Sequence, residues 1–517
     1  MNFFDRYFVA PFAPGAALRR ARQRVALRAF YEAAVPGRQH KHRSDTKSAN
    51  AQNERSAQSL RIQARHLEEN LDLAKGALNV LVQNTVGTGI APEPQAKTKG
   101  GEPAVEFNKE LLKLHSDWIH SPEVTRQHDY YSLQRLAARS WFRDGEVFGQ
   151  RLTGRVPFLD HNTVVPYSLE MLEADYVPID FTDLKRGIQQ GVELNTWGQP
   201  RAYWVYKSHP GDLNVLTFAS NTETKRIAAT NVLHLKLTDR LHQIRGITAL
   251  ASVLNRFDDL KEIDESERVA ARVAAAMSAF IKKGNAETYE PTALGSDGLP
   301  ALRTMEVVPG MIFDDLLPGE DIGTFNPNRP NNALIEFRDS QLRSVAAGLG
   351  ASFSSLAKNY DGTYSAQRQE LVENYVSYRI LSAAFIFRFC QPVWDGFVDA
   401  ALASGALEQG DVDETTIYDC VHAVPQMPWI DPAKEAEANK ILEEQGYKSR
   451  TRIIRESGQN PDEVNQEILQ DKKTREELGL EFGPKPDPAA VDDEPVDPDE
   501  PKPTPPKRAA RQRKRKS

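Results

Sequence analysis

Residues 331–385 read NNALIEFRDSQLRSVAAGLGASFSSLAKNYDGTYSAQRQELVENYVSYRILSAAF, and the pattern changes twice along them. Leu334, Phe337, Leu342, Val345 and Leu349 recur at helical spacing, which predicts a helix over 331–348. Gly348 and Gly350 are expected to end it, because glycine takes the left-handed conformation of a helix C-terminus at little steric cost. From Ala351 to Gln367 small and polar residues dominate. Apolar periodicity returns at Leu371, Val372, Tyr375 and Ile380 and predicts a second, longer helix. A loop held between two ordered helices is where a chain can touch a moving ligand. On this stretch alone, an ordinary helix-loop-helix corner is the favoured reading.

Upstream, Gly284 to Pro330 carries two Pro-Gly turns, at Pro309-Gly310 and Pro318-Gly319, each between short apolar runs. This predicts a small β excursion between two long helices. The helix before it is expected to run from about Thr248 to Lys283, with a stripe at Leu250, Val253, Leu254, Phe257 and Leu260 and an alanine-rich second half. Such a helix would span roughly 50 Å at 1.5 Å per residue, which suits a strut or an oligomer interface. Ala271, Ala274 and Ala275 are its candidate close-packing positions.

Further back, Ser56–Thr85, Phe107–Ile119 and Leu133–Arg143 read as helices. The runs RDGEVFGQRL, SLEMLEADYV and NVLHLKL read as strands, and GVELNTWGQPRAYWVYK as a hairpin turning at Thr196–Pro200. The body is therefore α+β. Downstream, QPVWDGFVDAALASG is helical with a break near Pro392, and Asp431-Pro432 is a helix start. Beyond it, Gly446, Ser449, Gly458 and Asn460-Pro461 divide the chain into short helices. Residues 1–50 have the composition of a flexible basic arm, and 481–517 that of a disordered tail, first acidic and then basic.

The net charge of −7 conceals this segregation: arginines crowd the start, Lys507 to Lys516 crowd the end, and the body between is clearly acidic. A nucleic-acid-gripping surface is not expected on such a body. Two cysteines, Cys390 and Cys420, exclude a disulfide framework and a cysteine-based zinc cluster. The N-terminus lacks a signal-peptide pattern, and the best apolar run, Ile380–Phe389, is short and carries Arg388. A soluble protein with no membrane association is expected.

Catalytic patterns are missing. There is no Walker A sequence, HExxH, GxSxG or strand-borne GxGxxG. The histidines are scattered, and the pairs Asp258-Asp259 and Asp314-Asp315 lack a third ligand nearby. The expectation is no enzyme, no metal and no cofactor.

The order of motifs resembles the lambda-type family of tailed-bacteriophage portal proteins, the head-tail connectors. The matching stretches are LNVLVQNTVGTGI (78–90), SWFRDGEVF (140–148), LEMLEADYV (169–177), GVELNTWGQPRAYWV (191–205) and HPGD (209–212). They continue with ERVAARVAAAMSAFI (267–281), LLPGEDIGTFNPNRP (316–330), AAGLGASFSSLAKNYDGTYSAQR (346–368), PVWDGFVDAALASG (392–405) and PWIDPAKEA (428–436). Family members commonly carry a proline at the position aligned with Ala351-Ser352, which this chain lacks.

The resemblance implies a ring, expected as a dodecamer, at one capsid vertex in the virion, made in the bacterial host cytoplasm. Double-stranded DNA passes its axis without sequence specificity. The implied partners are the terminase large subunit, major capsid and scaffolding proteins, and head-completion or adaptor proteins. On that plan 51–246 is an α+β wing, 247–283 a first stem helix and 284–330 a β clip. A second stem helix then covers 331–348 and a tunnel loop 349–367, followed by wing and crown helices at 368–430 and a helical crown at 431–480.

Lys358, Asn359, Tyr360, Gly362 and Tyr364 are the expected DNA-facing residues, with Lys358 a single positive belt in an otherwise neutral loop and Gly362 the point of flexion. Asp314, Asp315 and Glu320 are the expected docking residues of the clip, and Ala271, Ala274 and Ala275 the ring interface. A head-completion or adaptor ring, or a terminase-type translocating enzyme, are the alternative readings.

Overall fold

A computed structural model describes residues 47–212, 223–276, 280–283, 320–323, 332–426, 432–459 and 461–479, with positions 13, 15 and 16 near the start. The first compact unit, Met1–Glu435, is mixed helix and strand. Four helices begin it: α1 (Ala49–Asn70), α2 (Asp72–Thr85), α3 (Val105–Trp118) and α4 (Tyr130–Asp144). Ser48 caps α1 by accepting from the Ala51 amide, and Asp129 caps α4 by accepting from Tyr131 and Ser132. The helix expected over 56–85 is two helices, because Leu71 turns to an extended backbone between them.

Strand β1 (Ala91–Pro94) pairs with a strand more than 300 residues on, Cys420–Ala423. Pro92 and Pro94 fit there because a two-stranded ribbon leaves one edge without ladder bonds. A three-stranded antiparallel sheet is built from β2 (Glu146–Thr153), β3 (Tyr167–Leu172) and β8 (Val232–Lys236), in the order β3-β2-β8. Beside it lies a four-stranded antiparallel sheet of β4 (Ile188–Gln189), β5 (Val192–Leu194), β6 (Pro200–Tyr206) and β7 (Thr224–Ala228).

The alternation of strand side chains explains the layering. Val147, Leu169 and Leu235 join the large core beneath the helices, whereas Phe148 and Leu172 join a smaller core with Val192, Tyr203 and Val205 of the second sheet. Helices, a three-stranded sheet and a four-stranded sheet therefore stack through two cores. At the start of β2, Gly145 (φ +88°) and Gly246 cross so closely that a Cβ on Gly246 would lie 2.0 Å from the Gly145 carbonyl oxygen. Only two glycines permit that crossing.

A 3-10 turn at Ala249–Ser252, capped by Thr248, leads into α5 (Leu254–Ala276). Its buried stripe is Leu254, Phe257 and Leu260, and beyond them the helix leaves the core. The helix expected to reach Lys283 stops earlier: Phe280–Lys283 is β9, paired antiparallel with β10 (Glu320–Gly323). Alanine-rich local propensity favoured continuation, but a tertiary strand pairing overrides it. The Pro-Gly turns between the two strands lie outside the described residues.

Next come α6 (Asn332–Leu349), a short α7 (Phe353–Ala357) and α8 (Tyr364–Phe385). The two glycines ending α6 divide the work. Gly350 (φ +63°) is the left-handed terminator, with the Ala351 amide bonded to the Ala346 carbonyl at 3.0 Å. Gly348 is inside the helix, where an added Cβ would lie 2.8 Å from Val253, so it sets the approach of α6 to the root of α5.

The break expected near Pro392 is a π segment, Ile386–Cys390, running into α9 (Gln391–Ser404) without a stop. Pro392 sits in the first turn of α9, where its missing N–H is least costly. The ribbon strand β11 (Cys420–Ala423) comes after it. The second unit, Ala436–Ser517, holds most of α10 (Pro432–Glu444), then α11 (Arg450–Glu456) and α12 (Pro461–Leu478). Asp431, the expected cap of α10, lies outside the described residues. No described helix is long and apolar enough to cross a membrane.

Candidate nucleic-acid interface

The stretch 349–367 is not one loop but a helical shelf and an exposed tip. The shelf is α7, and its anchor is Glu370, in the second turn of α8. Glu370 Oε1 accepts from Ser352 Oγ (2.8 Å) and the Ser354 amide (3.0 Å), and Oε2 accepts from Ser354 Oγ (2.6 Å). The Ser352 amide donates to Tyr378 Oη at 3.0 Å, and Arg343 lies over the Phe353 ring. A carboxylate at the start of a helix also meets the free amides there favourably. Partial burial alone would raise the Glu370 pKa, but the bonds from Ser354 and Ser352 outweigh it and hold it below the usual range.

The tip is 358–363. Lys358 closes α7 in the left-handed region (φ 53°, ψ 31°). Gly362 does not adopt that conformation. Asn359 Oδ1 accepts from the Asp361 amide at 3.0 Å, Gln367 Nε2 donates to the Tyr360 carbonyl, and Thr363 caps α8 through the Ala366 amide. Lys358, Tyr360, Asp361, Gly362 and Thr363 are exposed, and Asn359 is half-buried. Tyr364, expected within the loop, is the first residue of α8. The charge expectation also needs correcting: exposed Asp361 stands three residues from Lys358, so the tip is neutral overall.

The other expected site residues that are described lie on two elements. Ala271, Ala274 and Ala275 are all on α5; Ala271 is exposed, and the side chains of the other two lie outside the described residues. Glu320 opens β10 opposite Lys283 rather than sitting in a turn. Asp314 and Asp315 lie outside the described residues.

Periodicity missed a densely hydrogen-bonded group of buried charges. Glu146 and Arg245 are fully buried and form an ion pair, with Arg245 Nη2 at 2.7 Å from Glu146 Oε1. Arg245 also donates to the carbonyls of Val177 (3.0 Å), Gln190 (2.9 Å) and Ala174 (3.1 Å). Glu146 Oε2 accepts from the Gly246 amide (2.9 Å) and from His234 Nε2 (3.1 Å), and Arg61 approaches Oε1 at 3.4 Å. Burial would raise the Glu146 pKa, but Arg245 and the bond from His234 drive it far below the carboxylate range. Burial lowers His234 to about 4 against the pull of Glu146, so the imidazole is neutral. Its Nδ1 is 3.2 Å from Tyr203 Oη and accepts from it.

Alongside, Asp144 takes bidentate forks from Arg65 and Arg143, at 2.8 and 2.9 Å each. This network ties α1, α4, β2, β8 and the 245–246 crossing into one frame. Glu173, Asp175 and His209 converge closely enough to hold a cation, but Arg61, Arg65 and Arg143 already engage the two carboxylates. The trio is part of the frame.

The described parts are thus a buried charge frame, an outgoing helix pair and a shelf-and-tip loop. The chain belongs to the lambda family of phage portal proteins, whose sequence model matches residues 36–381. A probable portal protein of Halomonas phage phiHAP-1 is 25% identical over 440 residues, covering 82% of both chains. Among solved structures, a chain from the virion of a native gene transfer agent particle aligns with TM-score 0.45 at 14% identity, over 79% of this chain and 94% of that one. A chain from the neck of that native particle, computed with C12 symmetry, aligns with TM-score 0.42 at 12% identity, over 77% and 92%.

Proposed function

We propose that this chain is the portal subunit of a tailed-phage capsid: copies close into a ring, expected as a dodecamer, through which double-stranded DNA is packaged and ejected. The observation carrying the reading is the family match across 36–381, which runs through the sheets, α5, α6 and the loop. The sheets and their charge frame serve as the wing, α5 and α6 as the stem, and the β9–β10 region as the clip that docks the terminase and then head-completion proteins. The 358–363 tip faces the channel, and the helices after Pro432 form the crown. A neutral tip suits a conduit, since each phosphate neutralised adds affinity through counterion release and would hold the DNA back.

Negative-stain imaging of the purified full chain tests this directly. A ring with a central hole is expected; a population without rings would overturn the portal reading. ATP hydrolysis by the purified chain would favour the terminase-type alternative. Rings that bind pre-formed portals rather than terminase would favour an adaptor.

A further inference from the structure

The dipeptide Asp-Gly occurs four times in the chain, at 144–145, 297–298, 361–362 and 395–396. An aspartate before a glycine carries its own reaction. The glycine amide lies one ring closure from the aspartate Cγ, and with no side chain on the glycine nothing crowds the approach. Closure still needs three things of the fold: a carboxyl group free to turn, an amide free of a hydrogen bond, and a backbone free to rotate between them. The four pairs share the chemistry, so the fold decides which of them reacts.

Two of the pairs are locked. Asp144 is buried, and Arg65 and Arg143 grip both of its carboxylate oxygens at 2.8 and 2.9 Å. Gly145 after it is fixed at the crossing with Gly246. Asp395 and Gly396 lie inside α9, where the i→i−4 ladder takes up the amide. Gln391 Nε2 donates to Asp395 Oδ1 at 2.8 Å, and Gly396 packs so closely on Tyr167 that an added Cβ would lie 2.8 Å from its hydroxyl. Asp297-Gly298 lies outside the described residues. Asp361-Gly362 meets all three demands. Both residues are exposed and lie between α7 and α8, not within a helix, and among the described residues nothing bonds the Asp361 carboxylate or the Gly362 amide. The Asp361 amide donates to Asn359 Oδ1 at 3.0 Å, a contact that leaves the reacting groups free.

We propose that the fold leaves Asp361, alone among the described Asp-Gly pairs, open to spontaneous isomerisation to isoaspartate. The Gly362 nitrogen attacks Cγ of the protonated Asp361 carboxyl. The new N–Cγ bond closes a five-membered succinimide, and the amide proton and the carboxyl hydroxyl leave together as water. Water then adds to one of the two ring carbonyls. Breaking the bond from nitrogen to Cγ restores aspartate; breaking the bond from nitrogen to the main-chain carbonyl carbon leaves the chain running through Cγ and the carboxylate on Cα. The water lost is regained, and no oxidant, cofactor or enzyme is required. The ring is uncharged, so while it lasts Lys358 is the unbalanced charge of the tip. The isoaspartate adds one methylene to the backbone two residues before Thr363, the cap of α8. The inference stands on the exposure of the tip and holds whether or not the chain closes into a ring.

The test incubates the purified full chain at physiological temperature and pH over weeks. Peptides are then released under acidic conditions and read by electron-transfer fragmentation, which distinguishes isoaspartate from aspartate. Isoaspartate at Asp361 is expected to exceed that at Asp144 and Asp395 in the same sample at least tenfold. Gly362→Val, which crowds the attacking nitrogen, and Asp361→Glu, which would have to close a six-membered ring, should each bring the signal at this position down to the level of the locked pairs. In urea the lead should vanish, with all three pairs accumulating isoaspartate at similar rates, because unfolding frees every carboxyl and amide. Equal accumulation at the three pairs in the folded chain would overturn the proposal. So would a lead of Asp361 that persists in urea, since flanking residues and not the fold would then select the site.

Discussion

Glu146 and Glu370 are both carboxylates that accept several hydrogen bonds, and they serve opposite ends. Glu146 is fully buried, and its partners include two arginines, a histidine and a backbone amide from elements 85 to 100 residues away. Glu370 is partly exposed, and its partners are serine hydroxyls and amides 16 to 18 residues away. A buried charge without its partner has nowhere to go, so the first arrangement holds or fails as a whole. Each contact of the second exchanges readily with water. The buried network around Glu146 is a frame, and the bonds that Glu370 makes under the tip are a latch of separate contacts.

The largest effect expected from this contrast comes from Glu146→Ala. It leaves Arg245 charged, buried and uncompensated, and the cost is about 3–5 kcal/mol. Urea denaturation monitored by tryptophan fluorescence should show the midpoint falling steeply. A midpoint within error of wild type would end the description of this network as the frame.

A second test separates frame from latch by pH. Burial lowers His115 to about 3, with a further push from His422, and lowers His234 and His422 to about 4. The unfolded chain binds these protons near the usual value of about 6.5, so between there and about 4 it holds more protons than the fold. Stability must then fall as pH falls, by about 1.4 kcal/mol per pH unit for each histidine inside its window. His115, enclosed by Trp118, Tyr130, Trp394 and Phe397, is the cleanest to remove. His115→Phe should flatten the pH dependence of the urea midpoint by one histidine's share. An unchanged slope would mean that His115 is protonated in the fold.

Distance along the chain decided how much of this was legible in the sequence. The stripes of α5, α6 and α8 are local patterns, and periodicity reads them. Glu146 and Arg245 are 99 residues apart, and nothing periodic links them. Glu370 was hidden in a polar stretch where a glutamate is unremarkable. The strand at Phe280–Lys283 was lost because its partner begins 37 residues later at Glu320. Val372 and Ile380 of α8 count toward its helical periodicity with Leu371 and Tyr375, yet both are exposed, since sequence does not say which apolar positions the chain itself covers.

Glu370→Ala should act locally. It frees the Ser352 and Ser354 hydroxyls and the first amides of α7, for a local loss of about 1–3 kcal/mol. Hydrogen exchange should speed up over 352–357 while the amides of β2 and β8 stay protected, and the global midpoint should barely move. Glu370→Gln, which keeps two lone pairs for the same donors, should recover part of the protection. Exchange that spreads into the sheets would mean that the shelf belongs to the frame.

The smallest stability effects belong to Lys358, where conformation and charge can be pulled apart. Its backbone is left-handed, a conformation that costs a residue with a Cβ about 1–2 kcal/mol. Lys358→Gly removes both strain and charge, Lys358→Ala removes charge and keeps strain, and Lys358→Arg keeps both. If the tip works through its charge, the Gly and Ala variants should change DNA retention in filled heads alike, and Arg should behave as wild type. If it works through a held bend, Gly alone should differ. Ser354 and Thr363 are poor places to add a cation, since one hydroxyl is bound by Glu370 and the other caps α8. Asp361→Lys adds it on an exposed side chain instead and turns a neutral tip into one of net charge +2. Around a ring that belt should slow translocation, more at low salt than at high, because each gripped phosphate is released in exchange for counterions. Packaging at an unchanged rate in Asp361→Lys, at every salt concentration, would put the tip out of reach of the DNA.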